Sequence, residues 1–594
     1  MPLADRRRLL HATAASGDIP NLAYALEVTG LLATAEEVAA AAAAGQLEAC
    51  KWLCERCRAE GQAQLAEAAV GAAAGAGKLE VVEWFIQQAG PDWKRGPLRS
   101  LLRTAMTEAF RGGHSALAEA LEAGRPWGPA PEAYLSCSDA LQLAAAAAHG
   151  LPYAAFVEAW TAACNVVTAH RIAPQPPGEP ATWSLQEPLA AAAGSPTPDW
   201  TAKVDFLLAR GCRRRSSVVA VAVAAPDGME RLLWLTRQRG FPVEEQVLVA
   251  AAGRGNLGAV QRLLTAGVRP LCTAAEAAAE AGHVLVIHEL WAAGGIAVLE
   301  RVAAHAGTHA VHPDTLRWLH RTAPSRQARS SPGSARGGAG AGGSGGGGGG
   351  AGGGDGLGPE PYAEQRPRIF VAWPAVLAAT AAHGDRELVE WLAAARGYAW
   401  GPRALEWAAG SGCQELVEWM VEAGCPLEPD AYVAAGRNGD LAMLSCLRRL
   451  GCPWTAATFT HAVIDHRASA LGLDTSCAAR TTGHGAGGAS CRTANARTAT
   501  CPLPVLKWMV ERGCPVEYES ALAAAMQLEM PADEEDMGAA GSESVVQWLE
   551  AQPWLGPGRG SGGVVLEPLW WLAAKRVRNA AARALRELRA ALPL

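Results

Sequence analysis

Two kinds of helical stretch alternate along this chain. One is rich in alanine and carries few bulky side chains, as after Thr34 and Thr273. The other places larger apolar residues three and four positions apart, as in Leu257, Val260, Leu263 and Leu264. That spacing gathers them on one face of a helix. Thr34-Ala-Glu-Glu37 and Thr273-Ala-Ala-Glu276 fit a capping box, in which the Thr hydroxyl and the Glu satisfy N–H groups at the helix start. The first stretch ends near a glycine such as Gly45, Gly255 or Gly439, and the second follows at once. It stops at another glycine, often with a proline two residues on, as in Gly424-Cys425-Pro426, Gly451-Cys452-Pro453 and Gly513-Cys514-Pro515. A left-handed glycine with proline beyond it ends a helix firmly. The pattern predicts pairs of short helices, with small residues on the first so that neighbouring backbones approach closely.

The pairs repeat. Gly77-Lys-Leu-Glu-Val-Val-Glu-Trp84 matches stretches that start at Gly45, Gly384 and Gly412, each with a tryptophan seven residues on and an apolar residue after it. Trp318, Trp508 and Trp548 keep the same trailing apolar residue, and near Trp234 the register slips by one. Gly228, Gly255 and Gly282 are 27 residues apart, as are Gly240, Gly267 and Gly294. A fixed period of this size signals a linear array, in which each pair is too small to bury its apolar face alone. The recurrent Trp52, Trp84, Trp234, Trp318, Trp391, Trp419, Trp508 and Trp548 are expected in the stack. The fold class expected is all-α: a solenoid of helical hairpins interrupted by low-complexity loops.

Four segments follow from composition. Residues 1–323 form a first repeat block. Residues 324–366 pass into a nearly pure glycine tract, a flexible linker by composition. Residues 367–563 form a second block, in which a disordered insertion at about 467–500 separates a first helix from its second. Residues 564–594 are expected to form a capping helix with a basic face, which carries Lys575, Arg576, Arg583 and Arg586. The alternative there is an amphipathic helix that touches an acidic partner or a membrane surface.

Charge and composition exclude little. With 52 basic and 58 acidic residues the net charge is -6, which gives no electrostatic case for wrapping a polyanion, so no nucleic acid is expected. The 15 cysteines do not read as a disulfide framework. No apolar run of membrane-spanning length is visible. A cytoplasmic location is expected, with nuclear or peripheral membrane placement open. Arg6-Arg7-Arg8 suits an organellar leader, but Asp5, Asp18 and the repeat-like His11–Gly17 argue against one.

Several stretches carry residue types that chemistry could use. Cys50, Cys54 and Cys57 share one helix face, yet three thiols without a fourth ligand read as packed core residues. His305, His309 and His312 repeat that spacing without a carboxylate motif. The stretch from Gly71 to Lys78 fails as a phosphate loop, with Ala72 where glycine is needed and Leu79 where Ser or Thr would meet magnesium. Gly342-Gly-Ser344-Gly-Gly346 lies in a glycine tract that cannot hold a strained nucleophile turn. Glu48, Glu80, Glu387 and Glu415 repeat one environment rather than two that separate their pKa values, so they read as a solvated face. No catalytic, metal or cofactor residue is expected.

The Gly-x-Leu-Glu-Val-Val-Glu-Trp and Gly-Cys-Pro-Trp motifs resemble ankyrin repeats of the short, algal-type family with a period of about 27 residues. The resemblance covers most of 5–325 and 368–555, with degraded units near 150–210. It departs from the standard repeat of about 33 residues that opens with Thr-Pro-Leu-His. It implies a scaffold that binds an unidentified protein partner through its concave surface. Trp93, Trp127, Trp400, Trp454 and Trp554, near the turns, are the candidate contact residues, since tryptophan is enriched among residues that dominate binding energy. A second implication is by family grouping only: similar chains are placed with membrane-associated sphingomyelin phosphodiesterase-related proteins, which implies lipid phosphodiester hydrolysis. No catalytic residue carries over from it.

Overall fold

In the computed structural model the described residues are 1–59, 65–88, 96–123, 137–169, 186–269, 272–322, 372–396, 400–401, 403–464, 501–529 and 545–551. They form fifteen helix pairs. The first five are α1 (Leu3–Ser16) and α2 (Ile19–Thr29), α3 (Ala35–Ala44) and α4 (Leu47–Ala59), α5 (Ala66–Gly75) and α6 (Leu79–Gln88), α7 (Gly96–Arg111) and α8 (Ser115–Ala123), α9 (Cys137–Gly150) and α10 (Tyr153–Ala169). Next come α11 (Gln186–Ala193) and α12 (Trp200–Ala209), α13 (Ser216–Val223) and α14 (Gly228–Leu233), α15 (Glu245–Gly253) and α16 (Leu257–Thr265), α17 (Cys272–Glu280) and α18 (Val284–Gly294), α19 (Ile296–Ala306) and α20 (Pro313–Thr322). The last are α21 (Trp373–Thr380) and α22 (Arg386–Arg396), α23 (Ala404–Gly410) and α24 (Gln414–Glu422), α25 (Ala431–Arg437) and α26 (Leu441–Arg449), α27 (Ala456–Val463) and α28 (Leu503–Glu511), α29 (Tyr518–Glu529) and α30 (Val545–Glu550). No strand occurs among the described residues; one isolated antiparallel bridge joins Leu31 to Asp440. The fold is an all-α helical-repeat solenoid.

The glycines punctuate as the pattern demands. Gly45, Gly255, Gly267, Gly412, Gly424, Gly439, Gly451 and Gly513 all have φ between 63° and 85°, the left-handed conformation that closes a helix. At Thr34 the capping box forms, with Glu37 Oε2 accepting from the Thr34 N–H at 2.7 Å. At Thr273 it does not, because α17 already begins at Cys272 and Glu276 pairs with Arg301 instead. The glycine register also needs two corrections. Gly228 is no turn residue: it opens α14, and a Cβ there would lie 2.1 Å from the Val223 carbonyl oxygen. The slipped tryptophan register nearby is taken up by a π-helical turn, Trp234–Gln238, which continues α14. Gly294 ends α18 inside the helix, and Gly295 takes the positive φ.

Odd-numbered helices touch at every step of the stack, even-numbered ones closely at only a few. Two layers of unequal spacing curve toward the tighter one, so the odd helices line the inner face. The stack runs on from α20 to α21 across 324–366: His320 lies against Trp373, and His383 Nε2 meets the Val311 carbonyl oxygen at 2.5 Å. The glycine tract, the 467–500 insertion and 564–594 lie outside the described residues.

Curvature brings the array back to its own start. The Leu3 N–H donates to the Ser411 carbonyl at 2.9 Å, Leu32 N–H to Gly439 at 3.1 Å, and Leu441 N–H to Gly30 at 3.1 Å. A Cβ at Gly30 would sit 2.7 Å from the Ala442 Cβ, so glycine permits the approach. Arg6 is 6 % exposed and forms an ion pair with fully buried Asp440, while its Nη1 and Nη2 also donate to the carbonyls of Thr29 and Gly412, each at 2.8 Å; its Nε–H is buried without an acceptor. Arg7 joins Glu37 at 3.1 Å and the Asn438 carbonyl at 2.8 Å. Asp440 also caps α26 by accepting from the Met443 N–H. Arg6 and Arg7 are thus a clasp between the first pair and the twelfth and thirteenth.

Arg6→Ala leaves the Asp440 carboxylate buried without its partner, a loss typically worth about 3–5 kcal/mol. Hydrogen exchange over residues 1–45 is expected to speed up, with units 14 and 15 unaffected; unchanged protection would refute the clasp. His11 supplies a pH test. The adjacent carboxylates, Glu36 foremost and then Glu37, raise its pKa to about 9. Burial pushes Glu37 up, but His11, Arg7 and Thr34 more than offset it and bring it to about 2. The His11 contribution is whole below the free imidazole value and lost as pH rises through 9; that of Glu37 is whole above the free carboxylate value and lost as pH falls toward 2. Protection of α1 should therefore peak at about pH 5–6 and weaken from about pH 6.5 to pH 9. A profile flat from pH 5 to 10 would contradict this.

Candidate binding surface

The inner face consists of short helices whose contact positions are small. Gly71 lies against Thr104, Gly253 against Ala277, and Gly410 against Ala434 across successive odd helices. Polar rungs tie the same helices together: Glu67 with Ser100, Arg103 with Asp139 at 3.4 Å, Arg301 with Glu276, and His461 with Asp430 at 3.1 Å. Exposed carboxylates stand in the first helical turns at Glu36, Glu67, Glu187, Glu245 and Glu519. Acidic side chains are favoured there by the positive end of the helix dipole.

The recurrent tryptophans pack along the even helices at different depths. Trp548 is 6 % exposed and Trp391 is 39 % exposed. Trp52, Trp84, Trp234, Trp318, Trp419 and Trp508 are half-buried. Among the candidate contact residues, Trp400 meets Trp419 edge-on at 5.7 Å, and its Nε1 donates to the Ala423 carbonyl at 3.2 Å. Trp454 lies 4.9 Å from Tyr432 and 6.4 Å from Trp508, with the Arg448 guanidinium 4.1 Å over its ring. Both turn tryptophans thus join one unit to the next. Trp93, Trp127 and Trp554 lie outside the described residues.

The Gly-Cys-Pro turns have a packing explanation. Cys425, Cys452 and Cys514 are buried beneath their turns, and burial pushes each thiol up to about 12. Such thiols stay protonated and act as small apolar groups. Cys50, Cys54 and Cys57 are likewise buried, with Cys50 raised by burial to about 12. His305 stacks on His309 at 4.1 Å and meets Glu280 at 2.8 Å, while His312 sits beside Asp314. No group of three or more metal-ligating side chains converges among the described residues. Glu48, Glu80, Glu387 and Glu415 are exposed.

Sequence reasoning missed one buried cation. Lys203 is fully buried; its Nζ donates to the Ala148 carbonyl at 3.1 Å, Ser195 Oγ at 3.1 Å and Thr197 Oγ1 at 2.7 Å, with Asp199 at 3.5 Å. Burial lowers its pKa. Ser195 in turn donates to the His149 carbonyl, so the cluster is a closed polar knot between the fifth and sixth pairs, not an open Ser–Lys nucleophile. Its signal was the Ser-Pro-Thr-Pro-Asp run at 195–199, where other units carry a plain glycine turn.

No family model and no curated relative matches the chain. Among solved structures it is similar to the pentatricopeptide repeat protein PPR10 from maize, at 12% identity over 88% of this chain and 81% of that one, with a TM-score of 0.23. PPR10 in complex with an 18-nt psaJ RNA element matches at 11% identity over 87% of this chain and 77% of that one, also at 0.23. At these values neither a residue role nor a ligand is carried across. One of these similar structures holds RNA, and the expectation that nucleic acid is excluded, drawn from net charge alone, is withdrawn. A sum over 594 residues averages surfaces far apart, and binding depends on the charge of one face.

Trp419→Ala removes a half-buried indole and its edge contact with Trp400, a change expected to cost about 2 kcal/mol. Thermal unfolding followed by circular dichroism should show a lowered Tm, and an unchanged one would count against its place in the stack.

Proposed function

We propose that this chain is a non-enzymatic scaffold that holds an extended protein segment along the inner face of its odd helices. The observation that carries the reading is the row of exposed first-turn carboxylates, Glu67, Glu187, Glu245 and Glu519, on helices whose other residues are mostly small. Solenoids present such continuous surfaces to extended partners. Acidic side chains there favour a ligand with lysine or arginine, because complementary charge steers encounter and fixes register. We read the units as short ankyrin-type repeats on the strength of their 27-residue spacing and Gly-Cys-Pro turns. Trp400 and Trp454 belong to this proposal as contact residues at the turn edge. The alternative of lipid phosphodiester hydrolysis gains no support from the neighbours. No described helix is long and apolar enough to cross a membrane.

Selection from a random peptide display library against the full chain tests the reading. Basic peptides should be enriched, should protect amides of α5, α11 and α15 from exchange, and should bind at least tenfold more weakly to Glu67→Gln/Glu187→Gln/Glu245→Gln. Protection confined to even-numbered helices, or enrichment of acidic peptides, would overturn it.

A further inference from the structure

One turn of the array departs in its chemistry from its Gly-Cys-Pro counterparts. Where later units carry Gly-Cys-Pro followed by Leu-Glu, Trp-Thr or Val-Glu, the turn between α12 and α13 reads Gly211-Cys212-Arg213-Arg214-Arg215. The proline, the apolar residue and the helix-capping residue have each become arginine. Cys212 keeps the structural role: it is buried, and burial raises its thiol to about 11. The three arginines are exposed. The first turn of α13 is Ser216-Ser217, without the carboxylate found at that place in α11 and α15.

Neighbouring turns extend this cluster. Arg214 Nε donates to the Arg239 carbonyl at 2.7 Å, which ties the Gly211 turn to the Gly240 turn. Arg239 forms a two-point pair with Asp205 at 2.6 and 2.8 Å, so that carboxylate is already engaged. Arg237 is exposed on the same turn and Arg269 on the next one. Glu187, Glu244 and Glu245 are the carboxylates at the facing helix starts, and Glu244 accepts from the Ser216 hydroxyl at 2.6 Å. Among the described residues no carboxylate pairs with Arg213, Arg215 or Arg237.

We propose that this arginine ridge, on the turn edge of the sixth to eighth pairs, binds the phosphate backbone of single-stranded nucleic acid. It adjoins the inner face at the start of α13, between Glu187 and Glu245, but its argument does not rest on that reading. Three observations favour a nucleic acid over other anions. Every exposed cation is arginine, whose planar fork matches phosphate in a two-point contact, and the one lysine of residues 186–269 is the buried Lys203. Guanidinium groups lie on aromatic rings here, Arg210 at 3.3 Å over Phe206 and Arg239 at 4.5 Å over Trp234, flat platforms on which an unpaired base can stack. No large exposed hydrophobic residue stands on these turns to enter a lipid surface.

The test is fluorescence anisotropy of a labelled 20-nucleotide single-stranded RNA with the full chain across 50–200 mM KCl. Each phosphate contact contributes about -0.7 to the slope of log affinity against log salt for a single strand. Arg213→Gln/Arg215→Gln/Arg237→Gln, which removes exposed side chains, should flatten that slope by about 2 and weaken binding at least tenfold at 100 mM KCl. Helical circular dichroism should stay unchanged. Arg56→Gln/Arg317→Gln/Arg512→Gln, elsewhere on the surface, should bind as the unaltered chain does. Absence of salt-dependent RNA binding, full retention by the first triple variant, or tighter binding of polyglutamate or phosphatidylserine vesicles than of RNA would overturn the proposal. Failure of the peptide experiment on the inner face would leave this result untouched.

Discussion

The architecture depends on how closely the odd helices approach one another. Their contact positions are glycine and alanine, so backbone meets side chain where larger residues would hold the helices apart. The even helices carry leucine, valine and tryptophan and stand further from their successors. Unequal layers bend the stack, and sustained bending over twelve units returns it to its first pair. The clasp of Arg6 and Arg7 is then a consequence of curvature, fixed by charge. A buried ion pair is weak evidence for added stability but good evidence for a defined register, because a misplaced partner leaves a charge unpaired.

Much of this was legible in the residues. The alternation of alanine-rich and bulkier stretches gave the helix pairs, and left-handed glycines stand at nearly all the expected turns. Gly228 misled because spacing alone cannot separate a turn glycine from one needed for close packing against Val223. The one-residue slip at Trp234 was visible, but its resolution as a π turn required the backbone. The structural role of Arg6 and Arg7 was not visible in the sequence because their partners, Asp440 and the Asn438 carbonyl, are over 400 residues away. Local pattern carries no information about such a contact. Lys203 escaped for a similar reason: its acceptors come from two units, and only their assembly makes a buried lysine tolerable.

Charge is where whole-chain reasoning fails most clearly. A net charge of -6 describes no particular face. Carboxylates stand at the starts of several odd helices, while arginines crowd three successive turns near the middle of the array. The tryptophans at the turns, attractive as contact residues in the sequence, join one unit to the next through Trp419 and Trp508. Recognition is accordingly assigned first to charged side chains not occupied in stacking, with Trp400 and Trp454 proposed beside them at the turn edge.

Closure of the array is the claim on which the arrangement of both surfaces rests. Double electron–electron resonance between spin-labelled residues placed at Ala12 in α1 and Ser445 in α26, both exposed, measures it directly. With Arg6 and Asp440 in contact and a rise of about 1.5 Å per helical residue, the labels should lie within about 35 Å. An array that stayed open over twelve units spaced roughly 10 Å apart would put them beyond about 60 Å, and that result would contradict the account.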